Sequence, residues 1–396
     1  MRRMNRHAQP GTARRRHARG VLLTALLAGT LLAGSGCKKE DPVYKGKKCS
    51  EWIHQLMAPD SGLRYEAISA CVALGPAASE AVPRLMSLMQ YDKDGRIRAH
   101  AAEALAKIGD EAVEPLTDVL EDATNKYDRI LAAQTLGDMG PPGAKGVKAL
   151  IAALGKDAEG DVRTASAMAL GSLGKIAQAP ATIQALAGAL KDKVYNVRFR
   201  AVSVLAQYGA GAAGATDALV AALRDEKQAV ATKAAETLTK IGPPAIDALS
   251  ACLHGDHNVA RHIAATVLAQ LGDPALPALK TAFRDANESV RIAAAVALRG
   301  RGADGLPIYV EMLDDAKAEV RDLAANLIEP FGRDAIGLLV PAMKDANDLR
   351  RAAAKQIILA IGASALPQLE QAAKNAEYKD LVEPLIEQIK KKRKGQ

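Results

Sequence analysis

Aromatic side chains are scarce in this chain: one Trp, three Phe and eight Tyr make up 3% of its 396 residues. With 49% of the chain apolar a large core is available, but alanine and leucine have to pack it, which suits helices that approach one another closely. Long membrane-spanning runs are missing too. The run VLLTALLAGTLLA at residues 21–33 has thirteen residues, fewer than the roughly 20 that cross a bilayer as a helix. No nucleophilic-serine elbow and no glycine-rich phosphate loop occurs, so neither of those enzyme sites is available. Acidic residues are absent before Glu40, where seven Arg stand in the first twenty positions.

That asymmetry accounts for the formal charge of +8. Setting aside those seven of the 53 basic residues leaves 46 against 45 acidic ones, and setting aside Lys390, Lys391, Lys392, Arg393 and Lys394 as well leaves 41. The body is mildly acidic between basic ends, and nucleic acid is not an expected partner.

What is present is a repeat. In residues 94–122, DGRIRAHAAEALAKIGDEAVEPLTDVLED, Ile97, Ala101, Leu105 and Ile108 share one helical face, Gly109 stops the helix, and Val113, Leu116 and Leu120 stripe a second one. The turn glycine returns as Gly75, Gly109, Gly140, Gly174, Gly209, Gly242, Gly272, Gly302, Gly332 and Gly362. Eleven residues earlier stands an arginine (Arg64, Arg98, Arg129, Arg163, Arg198, Arg261, Arg291, Arg321, Arg351), with Ala231 the one departure. Eight before it is Ala, or Ser166 in the fourth unit; four before it is Leu or Ile, or Cys71 in the first. A small residue lets helices close to about 8–10 Å while the branched one fills the seam. One such hairpin cannot bury both its faces, so neighbours must stack on it.

These ten units resemble HEAT repeats, more closely the short HEAT-like kind of the phycobilisome lyases, VR..A...L...G....P.L...L.D, over residues 61–375. The resemblance implies an all-α fold, a right-handed α-solenoid of about ten hairpins, without a cofactor of its own. It leaves the task open, since the fold serves many. The di-iron site of deoxyhypusine hydroxylases needs His-Glu pairs, whereas His54, His100, His254, His257 and His262 are followed by Gln, Ala, Gly, Asn and Ile. The lyase motif implies only a scaffold and no bilin site.

The first 36 residues have the order of a signal peptide: basic head, apolar run, small residues. The ending LLAGSGC resembles a bacterial lipoprotein signal, which implies a lipid on Cys37 as the mature N-terminus; Gly34 stands where such signals usually carry Leu. The expected address is the cell envelope, facing outward from the cytoplasm, with ordinary secretion the alternative. Residues 37–48 read as a polar tether and 49–60 as a cap helix anchored by Trp52. Cys49 and Cys71 lie symmetrically about the turn at residue 60 and could bridge in an oxidising compartment, or Cys71 could be a buried thiol in a leucine slot. Residues 376–396 read as a closing helix with a basic tail.

Polar candidates are few. Asp92, Asp157, Asp192, Asp285, Asp315 and Asp345 each precede a ruler arginine by six residues, which suggests Asp–Arg pairs at the junctions. Prolines such as Pro83, Pro115 and Pro341 are expected early in second helices. His254, Asp256, His257 and His262 cluster at one turn as the candidate metal ligands of an enzymatic alternative. Tyr91, Tyr127 and Tyr195 stand at junctions and either form a strip for a partner or pack on the next helix. The expected role is a non-catalytic scaffold binding a protein or peptide along the concave surface of its second helices.

Overall fold

The computed structural model describes residues 41–297 and 305–394. Ten helix pairs follow one another. Their first helices are Ser61–Leu74, Gly95–Ile108, Lys126–Asp138, Gly160–Leu173, Tyr195–Tyr208, Gln228–Ile241, Asn258–Leu271, Glu288–Ala297, Ala318–Ile328 and Asp348–Ile361. The second helices are Val82–Tyr91, Asp110–Asp122, Val147–Lys156, Pro180–Ala189, Thr216–Ala222, Ile246–Leu253, Leu276–Ala282, Leu306–Glu311, Ile336–Ala342 and Leu366–Ala372. Each first helix packs on the first helices before and after it, and most second helices do likewise. The protein is an all-α solenoid with one continuous hydrophobic core.

The repeated positions explain this core. The small residues of the ruler (Ala67, Ala101, Ala132, Ser166, Ala201, Ala234, Ala264, Ala294, Ala324, Ala354) are all 0% exposed. So are the residues four before the glycine that are described, from Cys71 and Leu105 through Ile328 and Ile358. Ser166 keeps its buried hydroxyl satisfied by donating to the Val162 carbonyl at 2.9 Å. The ruler glycines from Gly75 to Gly362 have positive φ, Gly302 lying outside the described residues. A side chain is strained in that backbone conformation, so only glycine turns the chain there without cost.

Elements depart from expectation in two places. The stretch read as a tether contains a two-stranded hairpin, Val43–Tyr44 paired antiparallel with Lys47–Lys48. Its turn is Lys45-Gly46, both at positive φ, and Trp52 holds it by donating from Nε1 to the Tyr44 carbonyl at 3.0 Å. Trp52, in the helix Cys49–Gln55, is 2% exposed, so the polar segment is fastened down by an indole further along the chain. The prolines are the second departure. Pro83, Pro277, Pro307 and Pro367 sit in the first turn of their helices, whereas Pro115 and Pro341 lie inside theirs.

Candidate functional site

The junction between hairpins concentrates the buried charge. Arg64, Arg129, Arg163, Arg198 and Arg291 each grip a carboxylate with Nε and Nη2, at 2.6–3.1 Å, on Asp92, Asp157, Asp192, Asp225 and Asp315. The partner is therefore the acid at the far end of the same hairpin, and not, as the six-residue spacing suggested, the acid just before the arginine. That nearer residue receives something else: Arg98, Arg163, Arg198, Arg291, Arg321 and Arg351 donate from Nη1 to the backbone carbonyl six residues back, at 2.6–3.0 Å. The same aspartates also accept from the N–H two residues on, as Asp192 does from Val194 at 2.8 Å. One residue thus closes its own hairpin, shapes the loop and holds the next hairpin. Asp225 belongs to this set, and sequence spacing missed it because Ala231 follows where the next arginine would stand.

Burial is the largest influence on the Asp157, Asp192, Asp225 and Asp315 carboxyls and pushes them up. The paired arginine and the loop N–H together overcome it and hold all four below the usual carboxylate range.

Five hairpins break the pattern, the tenth because Asn375 stands in its acid slot and Arg351 pairs with Asp348 instead. In the second, Ala123 stands in the acid slot, and Arg98 donates only to the carbonyls of Asp92 and Lys93. In the sixth, Ala231 and Gly255 replace both partners, so neither charge is stranded. In the seventh, Arg261 Nε lies 3.0 Å from Asp285 Oδ2 but is not aligned to hydrogen-bond it, and Nη2 turns away to Asn258 Oδ1 at 2.7 Å. In the ninth, Asp345 pairs with Arg350 at 2.6 Å.

The sequence-expected metal ligands do not converge. Asp256 is paired with Arg224 at 3.2 Å and is almost fully exposed. His257 caps the helix Asn258–Leu271 by accepting the Ala260 N–H on Nδ1 at 3.2 Å, while His262 donates from Nδ1 to the Ser289 carbonyl at 3.0 Å. Backbone groups occupy two imidazoles, and burial pushes the Cys252 thiol up. Among the described residues no group of three His, Cys, Asp or Glu is placed to hold a metal.

Tyr91 and Tyr127 are 75% and 68% exposed. Tyr195 differs, being half-buried against Phe199 with ring centroids 5.8 Å apart. The three therefore do not present equivalent rings. Cys49 and Cys71 are free, buried thiols in this structure. Cys49 Sγ faces the Ala77 carbonyl at 3.8 Å, and Cys71 fills the leucine slot, where burial first and then the neighbouring Cys49 push its thiol up to about 12. The signal segment and Cys37 lie outside the described residues.

A cavity of about 860 Å³ opens beside the broken pairs, where the ends of three successive second helices meet. Its floor includes Leu253, Phe283 and Ile308, and His254, Lys280 and Arg284 stand around it. Nothing in the periodic pattern marks it except the two substitutions at Ala231 and Gly255.

Stacked two-helix units tied by Arg–Asp grips define an α-solenoid of the hairpin-repeat class. The family model for HEAT repeats matches residues 50–126, 113–206, 190–265 and 246–329 in overlapping segments, and the chain belongs to that family. No curated protein matches it. Solved structures similar to it include an engineered protein, at 20% identity over 79% of this chain and 98% of that one, TM-score 0.39. Kap121p is similar at 13% identity over 86% of this chain, TM-score 0.46; the chain spans 45% of it. Human deoxyhypusine hydroxylase in complex with glycerol is similar at 23% identity over 63% of this chain and 94% of that one, TM-score 0.29. At these identities the likeness concerns the fold alone.

Proposed function

We propose that this protein is a non-catalytic scaffold or adaptor, carried on a bacterial envelope membrane by a lipid on Cys37 and facing outward from the cytoplasm. It binds a partner protein or peptide along the concave surface of its second helices. The observation that supports recognition is the contrast between inside and outside. The buried positions recur from unit to unit, but the exposed ones are individual: Glu111, Glu114, Asp118 and Glu121 on one second helix, Lys148 and Lys156 on the next, Ala181, Gln184 and Gly188 on the third. A repeated interior with an unrepeated surface gives a long face that many small contacts can read.

Two measurements test the proposal. Mass spectrometry of the mature protein is expected to find diacylglycerol on Cys37, and Cys37→Ser should release the protein from membranes; an unmodified or differently placed N-terminus refutes the anchor. In-cell crosslinking followed by purification is expected to recover one specific envelope protein, and recovery of none refutes the scaffold reading.

A further inference from the structure

The cavity beside the sixth and seventh hairpins has features the other junctions do not combine. Loss of the acid at Gly255 leaves room that Arg224 enters, since a Cβ built there would stand 2.7 Å from its Nη2. Arg261 lines the cavity, is nine-tenths buried, and keeps an Nε–H aligned to no acceptor. Lys280 and the exposed Arg284 add two more cations. Against these stand Asp285, already held by Arg261 and by the Asn287 N–H at 2.7 Å, and Glu311, 3.6 Å from Arg284 in a solvent-exposed pair. Three cations and two acids thus surround an apolar floor of Leu253, Phe283 and Ile308.

From this arrangement we propose that the cavity seats an extended acidic segment of a partner protein, with an apolar side chain toward Phe283 and Ile308 and carboxylates over Lys280 and Arg284. The inference rests on the scaffold reading and assigns one of its contact points. Three units at about 10 Å each place the outer walls roughly 20 Å apart, the reach of about six extended residues at 3.3 Å. A peptide fills that length with one chain, and its carboxylates meet the exposed Lys280 and Arg284.

Fluorescence anisotropy with the full mature chain and a fluorescein-labelled Asp-Glu-Leu-Phe-Asp-Glu peptide tests this. Binding is expected to weaken with salt, and to weaken about tenfold or more in the double variant Lys280→Glu, Arg284→Glu. It should be unchanged by Lys240→Glu, an exposed lysine at the opposite end of the sixth hairpin's first helix. Both altered cations are exposed, and far-UV circular dichroism verifies that the variants fold. Equal binding of the Asn-Gln-Leu-Phe-Asn-Gln peptide, unchanged binding in the double variant, no binding at all, or tighter binding of a labelled oligonucleotide would each overturn the proposal. If crosslinking still recovers a specific partner after any of these results, the scaffold reading stands and only this site falls.

Discussion

Replacing Arg163 by Leu would leave the Asp192 carboxylate, 11% exposed, without its two-pronged partner. Stranding one member of a buried pair costs about 3 kcal/mol. Removing Asp192 as well takes the charge away, so the double variant should be less destabilised than the sum of the singles. A double-mutant cycle in urea checks this, and simple additivity would refute a coupled pair. The sixth hairpin already carries the double loss, at Ala231 and Gly255. Acid should act on all such grips together. Because Asp157, Asp192, Asp225 and Asp315 bind protons less readily folded than unfolded, their stabilisation is complete above the unfolded value of about 4 and is lost as pH falls through the lower folded values. Thermal melts should hold steady from pH 7 to about 5 and drop steeply below about 4. A midpoint flat down to pH 2 would remove the grips from the stability of the protein. Sequence spacing revealed most of the residues that take part, Asp225 excepted, but matched each arginine to the wrong acid. A separation of six suggests neighbours, whereas a hairpin brings its two ends together across 24 to 29 positions.

At the scale of helices, the seam between Lys126–Asp138 and Gly160–Leu173 depends on Gly137. A Cβ there would lie 2.7 Å from the Ala169 Cα, backbone that cannot swing aside. Gly137→Ala should therefore cost about 1–3 kcal/mol by forcing the helices apart. Gly188, inside the helix Pro180–Ala189, has nothing within 4 Å of the same position, and Gly188→Ala should leave the melting temperature level or raise it. If the two variants melt alike, close helix approach is not what the small residues provide. The core itself was readable in advance, because a period of about thirty residues repeats the same steric demand and each repetition confirms the last. The cavity was not readable. It is made by the ends of three helices some 30 residues apart, and periodicity records only what each unit shares with the others. The hairpin at Val43–Lys48 was hidden for a related reason: its strands are two residues each, too short to show an alternation, and the Trp52 that fastens it lies beyond them.

Over the whole molecule, contacts among the described residues run chiefly between neighbouring units and the segments capping them, Arg350 of the tenth hairpin reaching Asp314 and the Glu311 carbonyl of the eighth being an exception, so unfolding need not be all-or-none. Trp52 is the single tryptophan and is buried under the hairpin at one end. Its fluorescence should report the opening of that end, whereas far-UV circular dichroism averages all the helices. The two unfolding curves are expected to part company in urea, and coincident curves would show instead a single cooperative block. The unclasped sixth unit extends the same logic to mechanics. Where Ala231 and Gly255 stand, no arginine fork closes the hairpin, and the polar ties left are the exposed Arg224–Asp256 pair, the Arg261 bond to the Gly255 carbonyl and Thr239 on Gln270; deformation gathers at the weaker couplings of a series. Brief trypsin treatment should nick first at Arg224 or Lys227, ahead of the comparable loops at Arg96 or Lys193. A chain built this way can flex at one joint to admit a visitor while its two arms keep their form.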